Sequence, residues 1–137
     1  MATVIDTLNK QGEYGKMITP LFISIDPQRD TVAKIREYVN DFHPSFVGLT
    51  GTPQQVEKLC KLYRVYFSKA NEQDEDYLLD HSIIIYLMDT NGDFLDFFGS
   101  NMNEDQITVR TQNHLKKFID EQLPNSSINK PWYKKLF

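Results

Sequence analysis

Cysteine is nearly absent. The 137 residues hold one, Cys60. An intrachain disulfide, a CxxC dithiol pair and a Cys-rich zinc site are therefore excluded within this sequence. Long apolar runs are missing as well: nothing approaches the roughly 18 residues that a membrane helix needs. The start, Met1-Ala2-Thr3-Val4-Ile5-Asp6, lacks the charged head and apolar stretch of a signal peptide. Basic residues are not in excess, with 15 Lys and Arg against 19 Asp and Glu and a net charge of −4. That balance argues against nucleic acid as the main partner, because phosphate binding needs a concentrated basic surface. Repeats and low-complexity tracts are lacking too.

What is present is globular. Apolar residues make up 40% of the chain and charged residues 25%, values that exclude a disordered or collagen-like polymer. The length suits one domain, able to bury roughly two thirds of its unfolded surface.

Apolar patterning predicts the elements. Val4 and Leu8 suggest a short leading helix that runs toward Gly12 and Gly15. The run Pro20-Leu21-Phe22-Ile23-Ser24-Ile25-Asp26 reads as a buried strand stopped by Pro27. Asp30-Thr31 starts a helix whose inner face is expected at Val32, Ile35, Val39 and Phe42. Asp30 is the expected cap, and His43-Pro44 ends the helix. Phe46–Thr50 is a second strand. Thr52-Pro53-Gln54-Gln55 combines an N-cap, Pro at N1 and Gln at N3, and predicts a helix with Val56, Leu59, Cys60 and Tyr63 inward. Residues 69–76 are polar and acidic and read as an exposed loop. Ser82–Met88 is the strongest strand, and Asn91-Gly92 turns it back into Phe94–Phe98. Asn103, with Gln106 three residues on, caps a last helix over Ile107, Leu115, Phe118 and Ile119. The expected order is β-α-β-α-β-β-α. Strands alternating with helices, plus a hairpin, give a mixed sheet with flanking helices: an α/β, thioredoxin-like pattern. Residues 1–123 are expected to form this domain, and 124–137 a tail with an aromatic cluster at Trp132, Tyr133, Leu136 and Phe137.

Few residues suggest chemistry. His81, between a polar loop and an apolar strand, has the chemistry of a metal ligand or a base; the plainer reading is a surface histidine at a strand end. Cys60 lies on an apolar stripe, where free cysteine behaves as a small hydrophobe. Asp26-Pro27-Gln28-Arg29-Asp30 follows a strand's C-terminal end, where open α/β sheets place ligands; by pattern alone the simpler reading wins, a turn at Asp26-Pro27 and a helix cap at Asp30. Asp89–Asp93 resembles a calcium loop only superficially, since positions six and twelve counted from Asp89 are Phe94 and Ser100 rather than Gly and Glu. Asn125-Ser126-Ser127 fits a glycosylation sequon of a kind that arises often by chance. His43 and His114 look structural. No catalytic residue is assigned.

Longer segments carry a resemblance. Pro20–Thr31 (PLFISIDPQRDT), Tyr38–Pro44 with Gly48–Thr52, Tyr63–Ser68 and Asp80-His81-Ser82-Ile83-Ile84 together resemble the Sco/SenC proteins over residues 4 to 120. The closing Trp132-Tyr133 and Leu136-Phe137 look like the tail of fungal, mitochondrial members. The resemblance implies a thioredoxin-like fold and a copper metallochaperone, not an enzyme, acting in assembly of cytochrome c oxidase. It implies copper delivery to the binuclear copper site of subunit 2, a small copper chaperone as donor, and a homodimer as a further assembly to consider. It implies the mitochondrial inner membrane as location, with the soluble domain facing the intermembrane space. The family binds copper through two cysteines of a CxxxC motif and one histidine, which maps onto His81. The CxxxC motif is expected shortly before residue 1, together with the family's leading strands and anchor, so the chain reads as a C-terminal part with one ligand of three. Alone it is expected to bind Cu(I) very weakly, and the missing leading strand is expected to leave a sheet edge uncovered. The rivals are a thioredoxin- or peroxiredoxin-like redox protein, which needs a reactive cysteine, and a copper-free interaction module.

Overall fold

A computed structural model describes residues 1–10, 14–70 and 77–122. The aromatic tail, the sequon, Gly12 and the acidic run 71–76 lie outside the described residues. The described residues fall into two compact units, one within residues 20–84 and one within residues 1–19 and 85–122.

In the first unit, β1 (Leu21–Ile23) pairs in parallel with β2 (Val47–Leu49), Phe22 standing opposite Gly48. Helix α2 (Val32–Asn40) connects them. It starts at Thr31, whose hydroxyl accepts the Lys34 N–H at 3.3 Å. Thr31 and not the expected Asp30 is therefore the cap. Asp30 instead accepts a hydrogen bond from the Ser24 hydroxyl. Ile35 and Val39 are buried, whereas Val32 and Phe42, expected beside them, are exposed. A nine-residue helix over a two-stranded ladder has room to bury only its central turns. Gly48 is what lets α2 approach: a Cβ there would lie 2.2 Å from Ile35 Cγ2. The opposite face of the ladder shows Leu21, Val47 and Leu49 to solvent.

Helix α3 (Pro53–Leu62) opens with the expected capping box, Thr52 and Gln55 each holding the other's backbone N–H. It closes in a Schellman motif. The Val65 N–H reaches the Cys60 carbonyl at 2.8 Å, and Arg64 adopts φ +52° in the position usually held by glycine. Strand β3 (Phe67–Ala70) then pairs antiparallel with β4 (Leu78–His81). Sequence patterning missed this ladder. Lys69 and Ala70 belong to a strand, not to the expected loop. The strand expected from Ser82 begins at Ile84 as β5 (Ile84–Met88).

The second unit has the deepest core. Helix α1 (Ala2–Lys10) buries Val4, Ile5 and Leu8 completely. Val4 and Leu8 cluster with Phe98 of β6 (Phe94–Gly99) and Ile107 of α4 (Glu104–Gln122). Leu115 and Ile119 pack against the cluster, as the 3.6-residue period predicts. Asn103 and Gln106 form the expected cap of α4. β5 and β6 form the expected hairpin. Its turn differs in kind: only Gly92 has positive φ, at +85°. The Gly92 N–H bonds the Asp89 carbonyl, and the Asp89 N–H bonds the Asp93 carbonyl. That is a type I turn closed by a glycine bulge, not the two-residue turn that Asn-Gly favours. The Asp89 carboxylate accepts the N–H groups of Asn91 and Asp93, each at 2.8 Å. It is thus engaged within the turn, in line with rejection of a calcium loop.

Candidate metal-ligand site

His81 ends β4 and stands opposite Phe67. The pairing continues one residue further, where the Ser82 N–H donates to the Tyr66 carbonyl at 3.0 Å and the Tyr66 N–H donates to the Ser82 hydroxyl. The side chain of His81 is exposed, beside an open groove of about 330 Å³ lined also by Tyr66, Phe67, Ser68, Asp80 and Ser82. Tyr66, one of the lining residues, is 78% exposed and gives the groove an apolar wall.

One hydrogen bond sets the chemistry of that imidazole. His81 Nδ1 lies 3.0 Å from the Ser82 carbonyl oxygen. A carbonyl only accepts, so Nδ1 carries the proton and Nε2 of the neutral ring keeps its lone pair. This is the arrangement metal-binding histidines use, with one nitrogen anchored to a carbonyl and the other offered to the ion.

The Asp26 turn sits elsewhere in the same unit. Asp26 is 8% exposed. Its own N–H donates to the Ser24 hydroxyl at 3.0 Å. Its carboxylate accepts the Tyr77 hydroxyl at 2.6 Å and Arg29 Nε at 2.5 Å. Arg29 also lays its guanidinium 3.9 Å from the centre of the Tyr77 ring and donates to the Tyr77 carbonyl at 2.9 Å. Burial pushes the Asp26 carboxyl up, but Tyr77 and Arg29 outweigh it and hold the group below the ordinary carboxylate value. The same carboxylate raises the Tyr77 phenol, which stays a donor. Asp26 thus engages the residue just before β4, while His81 lies at that strand's far end. Sequence reading missed Tyr77 and the pairing role of Arg29. Tyr77 meets Arg29 and Asp26 across 48 and 51 residues, beyond any local periodicity, whereas the Arg29–Asp26 pair spans three residues.

Cys60 is buried in α3, and burial pushes its thiol up. His43 takes part in a turn with Ser45, Nδ1 lying 2.6 Å from the hydroxyl. His114 Nε2 lies 3.1 Å from the Asp96 carboxylate, which Arg110 also grips. Among the described residues no group of three or more His, Cys, Asp or Glu side chains could hold a metal ion. Cu(I) is soft and prefers thiolates. His81 therefore fits as one ligand of such an ion, and the described residues do not complete a site.

The family model SCO1/SenC matches residues 1–116. The chain belongs to the SCO1/SenC family. It is 42% identical over 135 residues to "Protein SCO1, mitochondrial" of Saccharomyces cerevisiae, covering 97% of this chain and 45% of that protein. It is 41% identical over 118 residues to "Protein SCO1 homolog 1, mitochondrial" of Arabidopsis thaliana, covering 86% of this chain and 35% of that one. The chain thus spans less than half the length of these SCO1 relatives. A crystal structure of yeast Sco1 with copper bound superposes with a TM-score of 0.77 at 41% identity, covering 96% of this chain and 72% of the other. The expected α/β, thioredoxin-like fold class therefore holds, and copper is a ligand found in the SCO1/SenC family.

Proposed function

We propose that this chain is part of a copper metallochaperone for cytochrome c oxidase assembly and contributes one ligand, His81, to its copper site. The thiolate ligands come from residues this sequence does not contain, since its single cysteine is buried in α3. The observation that carries the reading is the His81 imidazole: exposed, fixed through Nδ1 by the Ser82 carbonyl, with the Nε2 lone pair available. The donor is a small copper chaperone and the acceptor is the binuclear copper site of oxidase subunit 2. The role is carriage of the ion, not catalysis. Relatives named mitochondrial support a mitochondrial site of action, which we place at the inner membrane with this domain facing the intermembrane space. Residues 1–123 form the working domain in this reading and 124–137 a separate tail. The buried, unactivated Cys60 thiol argues against the redox-enzyme rival.

The test offers Cu(I) as its glutathione complex, so that thiolates are supplied from outside, and follows the ring resonances of His43, His81 and His114. The expected result is weak binding that shifts His81 alone and is lost in His81→Ala. An unmoved His81 ring refutes the reading. Tight one-to-one binding by the chain without added thiol, lost in His81→Ala, refutes the single-ligand account.

A further inference from the structure

Strand β4 is poorly supported for an element that presents a ligand. It packs principally on β3, and a two-stranded ladder alone is marginal in water. Its described anchor beyond the hairpin is Tyr77, immediately before its first residue. Three contacts converge there: hydroxyl to Asp26, carbonyl from Arg29, and ring under the Arg29 guanidinium. The receiving end is itself rigid, because Asp26 is buried and held by Ser24, which donates in turn to Asp30.

We propose that Tyr77 is a positioning residue for His81, clamping β4 to the turn after β1 through Asp26 and Arg29. This rests on the reading of His81 as a ligand. Four residues of strand put His81 about 13 Å from Tyr77. On a lever of that length, a tilt of about 10° swings the imidazole by roughly 2 Å, several times the ~0.5 Å tolerance of a ligand site. The clamp converts a loose hairpin into a fixed presentation of Nε2. It also ties the Asp-Pro-x-Arg turn to the ligand without any contact between Asp26 and His81.

The experiment uses the full chain and two variants. Tyr77→Phe keeps the ring under Arg29 and deletes the hydroxyl. Arg29→Lys keeps the charge and loses the planar stack, and serves should Tyr77→Phe unfold. Amide exchange at Asp80 and Ser82, whose N–H groups face β3 in the ladder, is expected to speed up about tenfold in each, the order that follows from losing one hydrogen bond to a charged acceptor. Exchange in α2 and α3 is expected to stay unchanged, and the His81 ring resonances to broaden as the imidazole samples more positions. Unchanged β4 exchange and an unchanged His81 ring overturn the proposal. Wild-type chain titrated with the Cu(I)–glutathione complex separates the two ideas. A ring that responds to copper while both variants leave β4 untouched overturns the clamp and keeps the ligand. A β4 loosened in both variants, with a wild-type ring indifferent to copper, overturns the ligand reading and with it the purpose of the clamp.

Discussion

Replacing Gly48 by alanine puts a methyl carbon 2.2 Å from Ile35 Cγ2, with Val39 Cγ1 next at 3.4 Å. The second distance is an ordinary contact and the first is not, so α2 must move by more than an ångström or Ile35 must leave its rotamer. Overpacking of this kind costs about 1–3 kcal/mol. The gain from removing a strand glycine, about 0.5–1 kcal/mol, offsets part of that. Gly48→Ala should therefore destabilise by about 0.5–2 kcal/mol. Ile35→Ala alone opens a cavity under α2 and should cost about 2–5 kcal/mol. In the double variant the clash is gone, and the alanine at 48 should be neutral or mildly stabilising. The two substitutions should thus fall short of additivity by about 1–3 kcal/mol, which urea unfolding followed by far-ultraviolet circular dichroism resolves. A double variant whose loss equals the sum of the singles within about 0.5 kcal/mol would refute the close approach of α2 to β2.

Cys60, buried in α3, should resist a disulfide reagent at neutral pH until denaturant is added, and rapid native reaction would show it exposed. Cys60→Ser buries a hydroxyl where a thiol sat, and should cost about 1–3 kcal/mol in urea unfolding. Burial pushes the Asp96 carboxyl up, but the Phe97 N–H, His114 and Arg110 together hold it below its ordinary 3.8. Its folded value lies below its unfolded one, so its contribution is present above about pH 4 and is lost as pH falls through the folded value. Asp96→Asn should flatten the loss of the urea midpoint below pH 4. An unchanged acid limb would count against the Arg110 and His114 pairing.

Local chemistry made the helices legible. Thr52, Asn103 and the Val4–Leu8 and Ile107–Ile119 stripes act within a few residues of themselves, and the structure uses them as read. Asp30 was misassigned because Thr31, one place on, competes for the same cap, and Ser24, six residues back, takes up the Asp30 carboxylate. β3 and β4 escaped notice because Phe-Ser-Lys-Ala and Leu-Leu-Asp-His lack alternation and are stabilised by each other, a cross-strand matter that one strand's sequence does not record. His81 was legible as a residue at a strand boundary, but it closes β4 and does not open the strand expected from Ser82. The fixing of its ring by a backbone carbonyl, and the hold that Tyr77 exerts through Asp26 and Arg29, are three-dimensional facts spread over fifty residues.

The parallel ladder of β1 and β2 has further bearing. Parallel strands normally lie under helices on both faces, and here Leu21, Val47 and Leu49 meet water on the side away from α2. They are 41–55% exposed, so hiding the remaining area of any one of them would contribute on the order of 1 kcal/mol. A net charge of −4, within the ordinary range for a small domain, opposes by repulsion any contact between copies through that face. Added salt shortens the reach of that repulsion to about 3 Å at 1 M, leaving the sticky face unopposed. Self-association through the ladder's bare side should therefore grow with salt, which light scattering of this chain across a salt series would read.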